Sequence, residues 1–235
     1  SGQRTLYAAI WDHGVYKSTD DGHSWTCKSK GLGAPGINMR CCRVSRHGDG
    51  TLFCLVTGRR EGSPERHGGP PVREGVGLYR SRDQGESWQC VTAGLDFFWP
   101  MAFETDTENS SALWLGLADW PGVDKAGGLY RSEDGGANWR RVVRKSHRHF
   151  GVFLHPRRPG WIYMTLHASS PEVREPYGAG LWLSRNNGDT WEPFDSLPFV
   201  RVNRVSFDPV NRDRIYVSTY GGGAWYGPDQ PQIDG

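Results

Sequence analysis

The sequence predicts an all-β protein, a β-propeller of four-stranded antiparallel blades with about five blades visible, and three observations carry that prediction. A segment of the form Ser-x-Asp-x-Gly-x-x-Trp occurs at Ser18 to Trp25, Ser81 to Trp88 and Ser132 to Trp139, and again at Ser184 to Trp191 with Asn186 in place of the Asp. Its glycines, Gly22, Gly85, Gly136 and Gly188, lie 63, 51 and 52 residues apart, which suits one blade per repeat. Between the segments run short, alternating apolar and polar stretches separated by turn residues, the pattern of sheet strands.

Taken in chain order, with strands lettered A to D from the axis outward, blade one (residues 1–35) is partial. It supplies B, C and D at Leu6 to Ile10, Gly14 to Lys17 and Ser24 to Lys28. Blade two (36–95) is complete, with strands at Met39 to Ser45, Leu52 to Thr57, Gly77 to Arg80 and Ser87 to Val91. Blade three (96–145) has Met101 to Phe103, Leu113 to Leu117, Leu129 to Arg131 and Asn138 to Val142. Blade four (146–198) has Phe150 to Leu154, Trp161 to Leu166, Leu181 to Ser184 and Thr190 to Pro193. Blade five (199–235) is partial, with Asn203 to Phe207, Arg214 to Ser218 and Gly223 to Tyr226 but no strand D. All of this is expected to form a single domain. The unmatched ends predict that a further segment or a partner completes a five-bladed or larger, six- or seven-bladed, ring, since an open sheet edge invites pairing.

In the repeated segment, Asp or Asn hydrogen-bonds the amides of the turn and Gly takes a positive φ, while Trp covers the turn. The segment resembles the Asp-box, or bacterial neuraminidase repeat, of sialidases, xyloglucan hydrolases, sortilin-type receptors and photosystem assembly factors. That resemblance implies a structural role for Asp20, Asp83, Asp134 and Asn186, on the face opposite the binding site. An early Arg-Ile-Pro segment of the sialidase kind is absent, which disfavours sialidase itself. The stretch Thr219 to Trp225 is similar to xyloglucan hydrolases, and that resemblance implies catalysis in a cleft between two propellers.

Antiparallel order places the B to C loops and the D to A crossings on one face, and the A to B turns with the repeated segments on the other. The B to C loops at 58–76, 118–128 and 167–180 are long, and long loops gathered on a rigid scaffold are where binding resides. Their polar, charged and aromatic content suits a sugar, whose hydroxyls need hydrogen bonds and whose C–H faces stack on rings. The expected substrate-binding residues are Trp11, His13, Arg40, Arg59, Trp99, Trp120, His147, Arg148, His149, His167, Arg201 and Tyr220. For glycoside hydrolysis, which needs one carboxyl group as proton donor and another as base or nucleophile, Asp12 and Asp119 form the expected pair, with Asp96 as fallback. The arginines at the mouth would also suit an anionic sugar. Three readings follow: a glycoside hydrolase acting on a polysaccharide or oligosaccharide, a non-catalytic propeller binding a glycan or a protein, and a lyase acting on uronate polymers.

Mixed charges with a formal net of +2 and no basic run exclude nucleic acid as the favoured partner, and no apolar run approaches the ~18 residues of a membrane span. No cofactor is expected. His147, His149 and His167 could approach a metal, but no carboxylate ligand stands beside them in the sequence, so no metal is assigned. The five cysteines are irregularly spaced and read as buried thiols, with one bridge conceivable from Cys41 or Cys42 to Cys54. Ser1-Gly2 reads as a cloning remnant that hides any native leader, and a secreted or periplasmic setting is favoured.

Overall fold

The four repeated segments fold into near-identical hairpin turns, and the chemistry of the second shows why. Ser81 Oγ donates to Asp83 Oδ1 at 2.7 Å and accepts the Gly85 amide at 2.8 Å. Asp83 in turn accepts the Ser87 amide at 2.9 Å and the Ser87 hydroxyl at 2.5 Å. These donors hold the Asp83 carboxyl down at about 2, the hydroxyl and amide of Ser87 contributing most. The fourth copy keeps the pattern, because Asn186 Oδ1 accepts the Thr190 amide at 2.9 Å while its Nδ2 donates to the Thr190 hydroxyl at 2.8 Å. Gly22, Gly85, Gly136 and Gly188 have φ between 82° and 92°, the left-handed region that a side chain resists.

The tryptophans divide into two groups. Trp25 and Trp191 donate to their own turn glycines, whereas Trp88 Nε1 donates to Lys28 O at 2.7 Å and Trp139 Nε1 to Val91 O at 2.8 Å. The second pair therefore reaches beyond its own turn to bind one blade to the blade before it.

The computed structural model describes residues 4–61, 69–119, 126–144, 148–167, 179–198 and 201–231. Its strands form three four-stranded and two three-stranded antiparallel blades, each ordered as in the sequence. Blade one comprises Leu6–Ile10, Gly14–Ser18 and Thr26–Cys27; blade two, Cys41–Arg46, Leu52–Val56, Gly77–Ser81 and Gln89–Cys90. Blade three comprises Trp99–Thr105, Leu113–Ala118, Gly128–Ser132 and Arg140–Arg144; blade four, Arg148–Leu154, Ile162–His167, Gly180–Ser184 and Glu192–Pro193. Blade five comprises Val202–Phe207, Arg214–Thr219 and Ala224–Pro228. A small hairpin of Arg59–Arg60 with Pro71–Val72 stands inside what the sequence predicts as the long loop of blade two. No helix among the described residues is long and apolar enough to cross a membrane.

The second strand of each inner blade is buried on both faces, which is why Leu-Phe-Cys-Leu-Val at 52–56 is apolar throughout. Leu52, Cys54 and Val56 join Val15 and Leu32 in the layer between blades one and two. The alternate residues Phe53 and Leu55 join Phe103, Leu113 and Leu115 between blades two and three. Trp114, Val152 and Met164 fill the next layer, and Tyr163, Leu183, Val205 and Val217 the last. On the turn face, charged side chains span the same junctions: Lys28 pairs with Glu86 at 2.7 Å, Arg80 donates to Gly135 O at 2.9 Å, and Arg157 donates to Asp208 O at 2.6 Å.

Every innermost strand of blades two to five carries one irregularity, a shift of register at Cys41/Arg43, Pro100/Ala102, His149/Gly151 and Val202/Arg204. The residues skipped are Cys42, Met101, Phe150 and Asn203. Bulges of this kind bend and re-aim a strand at a functional rim.

The five cysteines are free thiols. The bridge entertained above is not formed: Cys41 and Cys54 adjoin diagonally across the two strands, and both remain thiols. Burial and the adjacent Cys41 thiol push Cys54 well up from the usual thiol range. A thiol titration of the native protein is expected to label exposed Cys27 first, and Cys41 and Cys54 only on unfolding. Equal rates at all three would overturn this account of the layer between blades one and two.

Candidate functional site on the long-loop face

The register assigns equivalent positions at the rim. Val56, Leu117, Leu166 and Thr219 hold the same place against their innermost strands, with Ile10 in the corresponding place in blade one; the residues after them are Trp11, Thr57, Ala118, His167 and Tyr220 in blades one to five, and the next, in blades one, two, three and five, are Asp12, Gly58, Asp119 and Gly221. Asp12 and Asp119 thus start equivalent loops. Facing these positions from the innermost strands are Arg40, Trp99, Arg148 and Arg201: Trp99 pairs with Ala118 and Arg148 with His167, while the Thr57 amide donates to Arg40 O and the Tyr220 amide to Arg201 O.

The best-defined part of this rim lies where blade one meets blade two. The three-residue loop Trp11-Asp12-His13 is closed by a hydrogen bond from His13 N to Ile10 O, and Asp12 sits at a φ of 63°, which Asp tolerates better than most residues. That conformation brings Asp12 Oδ1 to 3.1 Å from Arg40 Nε. The Arg40 guanidinium also lies 5.1 Å from the centre of the Trp11 ring, within cation–π range. The Arg40 side chain is only 7% exposed and Asp12 46%, so the pair forms a floor beneath a partly open indole.

Buried Asn38 ties this floor to the second loop. Its amide donates to Thr57 O and Glu74 O, both at 3.1 Å, and its oxygen accepts the Arg40 amide. Beyond Asn38, Ile37, Arg59, Glu61, Val72 and Glu74 line a cleft of about 450 Å³. Arg59 lines this cleft with its Nε buried and without an acceptor among the described residues.

The other expected residues distribute unevenly. Asp119 folds back to accept the Gly127 amide, closing the base of its own loop. Asp96 is paired with Arg73 at 2.7 Å on the outside. Trp99 is expected as a binding residue, but it is buried with Phe98 and Ala118 and acts as core beneath the rim. His13, Arg201 and Tyr220 are exposed. Trp120 and His147 lie outside the described residues, and Arg148, His149 and His167 are placed by backbone register alone.

Sequence reasoning missed Asn38 as the tie between loops, and it missed a charged group on the innermost strands. Arg43 of blade two pairs with Glu104 of blade three at 2.6 Å and lies 4.8 Å from the centre of the Phe103 ring. Burial pushes the Glu104 carboxyl up even though Arg43 and Arg204 pull it down. The available signal was Glu104, which follows the apolar run Trp99 to Phe103 within one strand.

The fold and this rim define a β-propeller with a built polar face of loops. No protein-family profile matches the chain. It is 25% identical over 221 residues to a protein of Neosartorya fischeri named "Probable oligoxyloglucan-reducing end-specific xyloglucanase", a match covering 92% of this chain and 24% of that protein. Among solved structures, it superposes on a GH74 enzyme of Niastella koreensis with a TM-score of 0.67 and 19% identity, over 99% of this chain and 36% of the other. It superposes on YCF48 bound to D1 peptide with a TM-score of 0.56 and 16% identity, over 95% of this chain and 61% of the other. The chain therefore spans about a quarter of the length of the curated relative that it matches.

Proposed function

We propose that this chain is a carbohydrate-active propeller whose long-loop face binds a polysaccharide of the xyloglucan kind and cleaves it as a glycoside hydrolase, with Asp12 and Asp119 as the carboxyl pair. The observation that carries the reading is the half-open Trp11 ring backed by the Arg40 to Asp12 pair, beside a cleft lined by Arg59, Glu61 and Glu74. An indole stacks on the apolar face of a sugar ring while the neighbouring donors meet its hydroxyls. The resemblance over most of the chain to a protein named as a xyloglucanase supports the choice of polymer. The hydrogen bonding shared by all four turns supports assigning them to the Asp-box type.

A panel of polysaccharides that includes xyloglucan, assayed for new reducing ends, tests the proposal. Asp12→Asn keeps the left-handed turn and removes the charge. It and Asp119→Asn are each expected to lower turnover by about 100-fold or more, the scale of a lost acid or base. Activity that survives both changes would sink the assignment of these two residues. A second reading, glycan binding without turnover, is favoured by the fact that all three candidate carboxylates already have partners, Asp12 in Arg40, Asp119 in the Gly127 amide and Asp96 in Arg73. Retention on immobilised xyloglucan with no reducing ends released, and loss of retention in Trp11→Ala, would select it.

A further inference from the structure

The face that carries the repeated turns has a cleft of its own. It opens at the junction of blades one and two, directly below the rim described above, and encloses about 570 Å³, within the size range of small-molecule sites. Two arginines stand in its wall. Arg46 ends the innermost strand of blade two and Arg82 belongs to the repeated turn of the same blade. Neither guanidinium makes a hydrogen bond or an ion pair among the described residues.

The carboxylate on that wall does not answer them. Asp49 accepts the Thr51 amide at 2.8 Å and lies 2.9 Å from His47 Nδ1. With a further hydrogen bond from the Ser110 hydroxyl, its largest influence, it is held far below the usual carboxylate range. Behind the wall, Lys17 Nζ donates to Gln84 Oε1 at 3.3 Å and so adds to the positive charge of the region. Cations gathered at one polar cleft repel each other unless an anion joins them, and a guanidinium binds a carboxylate or phosphate through two parallel hydrogen bonds. The rest of the wall is hydroxyl and amide groups from Thr5, Tyr7, Thr51 and Gln84, with Tyr7 Oη donating to Gln84 O at 3.1 Å. Such a wall matches a ring bearing hydroxyls better than an apolar acid.

We propose that this cleft is a second binding site, on the turn face, which takes a sugar acid with its carboxylate between Arg46 and Arg82 and its hydroxyls against Thr5 and Gln84. The site uses no residue of the long-loop rim, so it stands or falls separately from the hydrolase reading.

The test is calorimetric titration with a galacturonic acid oligomer, with the neutral galactose oligomer of equal length and with inorganic phosphate, together with amide chemical shifts of the labelled protein. The acidic oligomer is expected to bind and to move the Gly50, Thr51 and Gln84 amides. Its affinity should fall by about tenfold or more in Arg46→Ala and in Arg82→Ala, and less in Arg46→Lys, which keeps the charge but loses the paired hydrogen bonds. Circular dichroism of each variant separates this from a failure to fold. Absence of binding by the acidic oligomer would overturn the proposal, as would equal binding of the neutral oligomer or unchanged affinity in both alanine variants. Phosphate that competes as well as the oligomer would overturn the sugar-acid part and reduce the cleft to a simple anion hole.

Discussion

Asp229→Ala is expected to reduce the free energy of unfolding by about 2 kcal/mol, below the range for leaving a buried charge unpaired, because Arg158 keeps its pairing with Asp213 and some contact with water. Asp229 is fully buried. One carboxylate oxygen lies 2.7 Å from Arg158 Nε and 3.5 Å from His155 Nε2. Its backbone is held as well, the amide donating to Asp213 O at 2.9 Å and the carbonyl accepting the Tyr163 hydroxyl. The group fastens the stretch after the last strand of blade five onto the turn of blade four. Urea unfolding monitored by tryptophan fluorescence would measure the loss, and a midpoint unchanged from the parent would refute it.

The same cluster gives stability a pH dependence. Burial lowers the pKa of His155 from its usual 6.5 and outweighs the pull of Asp229 in the opposite direction. The unfolded chain therefore takes up the proton more readily than the folded one. The contribution of neutral His155 is complete above pH about 6.5 and is lost as pH falls from there toward the lower folded value. Asp229→Asn removes the influence that raises the pKa, so the unfolding midpoint of this variant should fall over a wider acidic range than that of the parent.

Trp114→Ala should cost about 3 to 5 kcal/mol, the cost of emptying a large core position. The indole is 2% exposed and lies in the layer between blades three and four. Arg131 stands 5.2 Å from its ring centre on one side. Across the layer it meets the fourth repeated turn, where a Cβ added to Gly188 would come within 2.7 Å of the ring. Gly188→Ala is accordingly expected to be destabilising on two counts, the left-handed φ of 82° and the clash. Only the clash disappears when Trp114 is removed. The double variant should be less unstable than the sum of the singles, and strict additivity in the cycle would show that the turn does not rest on this ring.

The repeated turns were legible because their chemistry is local: a Ser, an Asp or Asn and a Gly within five residues satisfy one another, so sequence spacing and hydrogen bonding coincide. The second strands were legible for a different reason, burial between two blades, which makes 52–56 and 113–118 apolar without interruption. Three of the four innermost strands were read short, that of blade two being read from Met39. Their predicted starts at Met101, Phe150 and Asn203 are the very residues skipped by the register, because a bulge breaks the alternation by which a strand is recognised. At the candidate site, residue types were readable but partners were not. Nothing in the sequence distinguishes Asp12, which finds Arg40 at a distance of 28 positions, from Asp119, which finds the amide of Gly127 in its own loop. Trp99 looked available for a ligand because it follows a loop, and only packing against Phe98 and Ala118 reveals it as core.

The recurrent bulge also separates two tasks within a single strand. Cys41 and Val44 belong to one apolar layer, as do Val202 and Val205, although three residues apart they would face opposite ways in a regular strand. In these two strands the alternation thus shifts phase at one residue, so that Cys41 and Val202 above the joint keep to the same core layers as Val44 and Val205 below it. Arg40, Trp99, Arg148 and Arg201 all stand above that joint. In blade two the bulge thereby keeps Cys41 in the core layer while the next residue toward the mouth, Arg40, turns to Asp12 and Trp11.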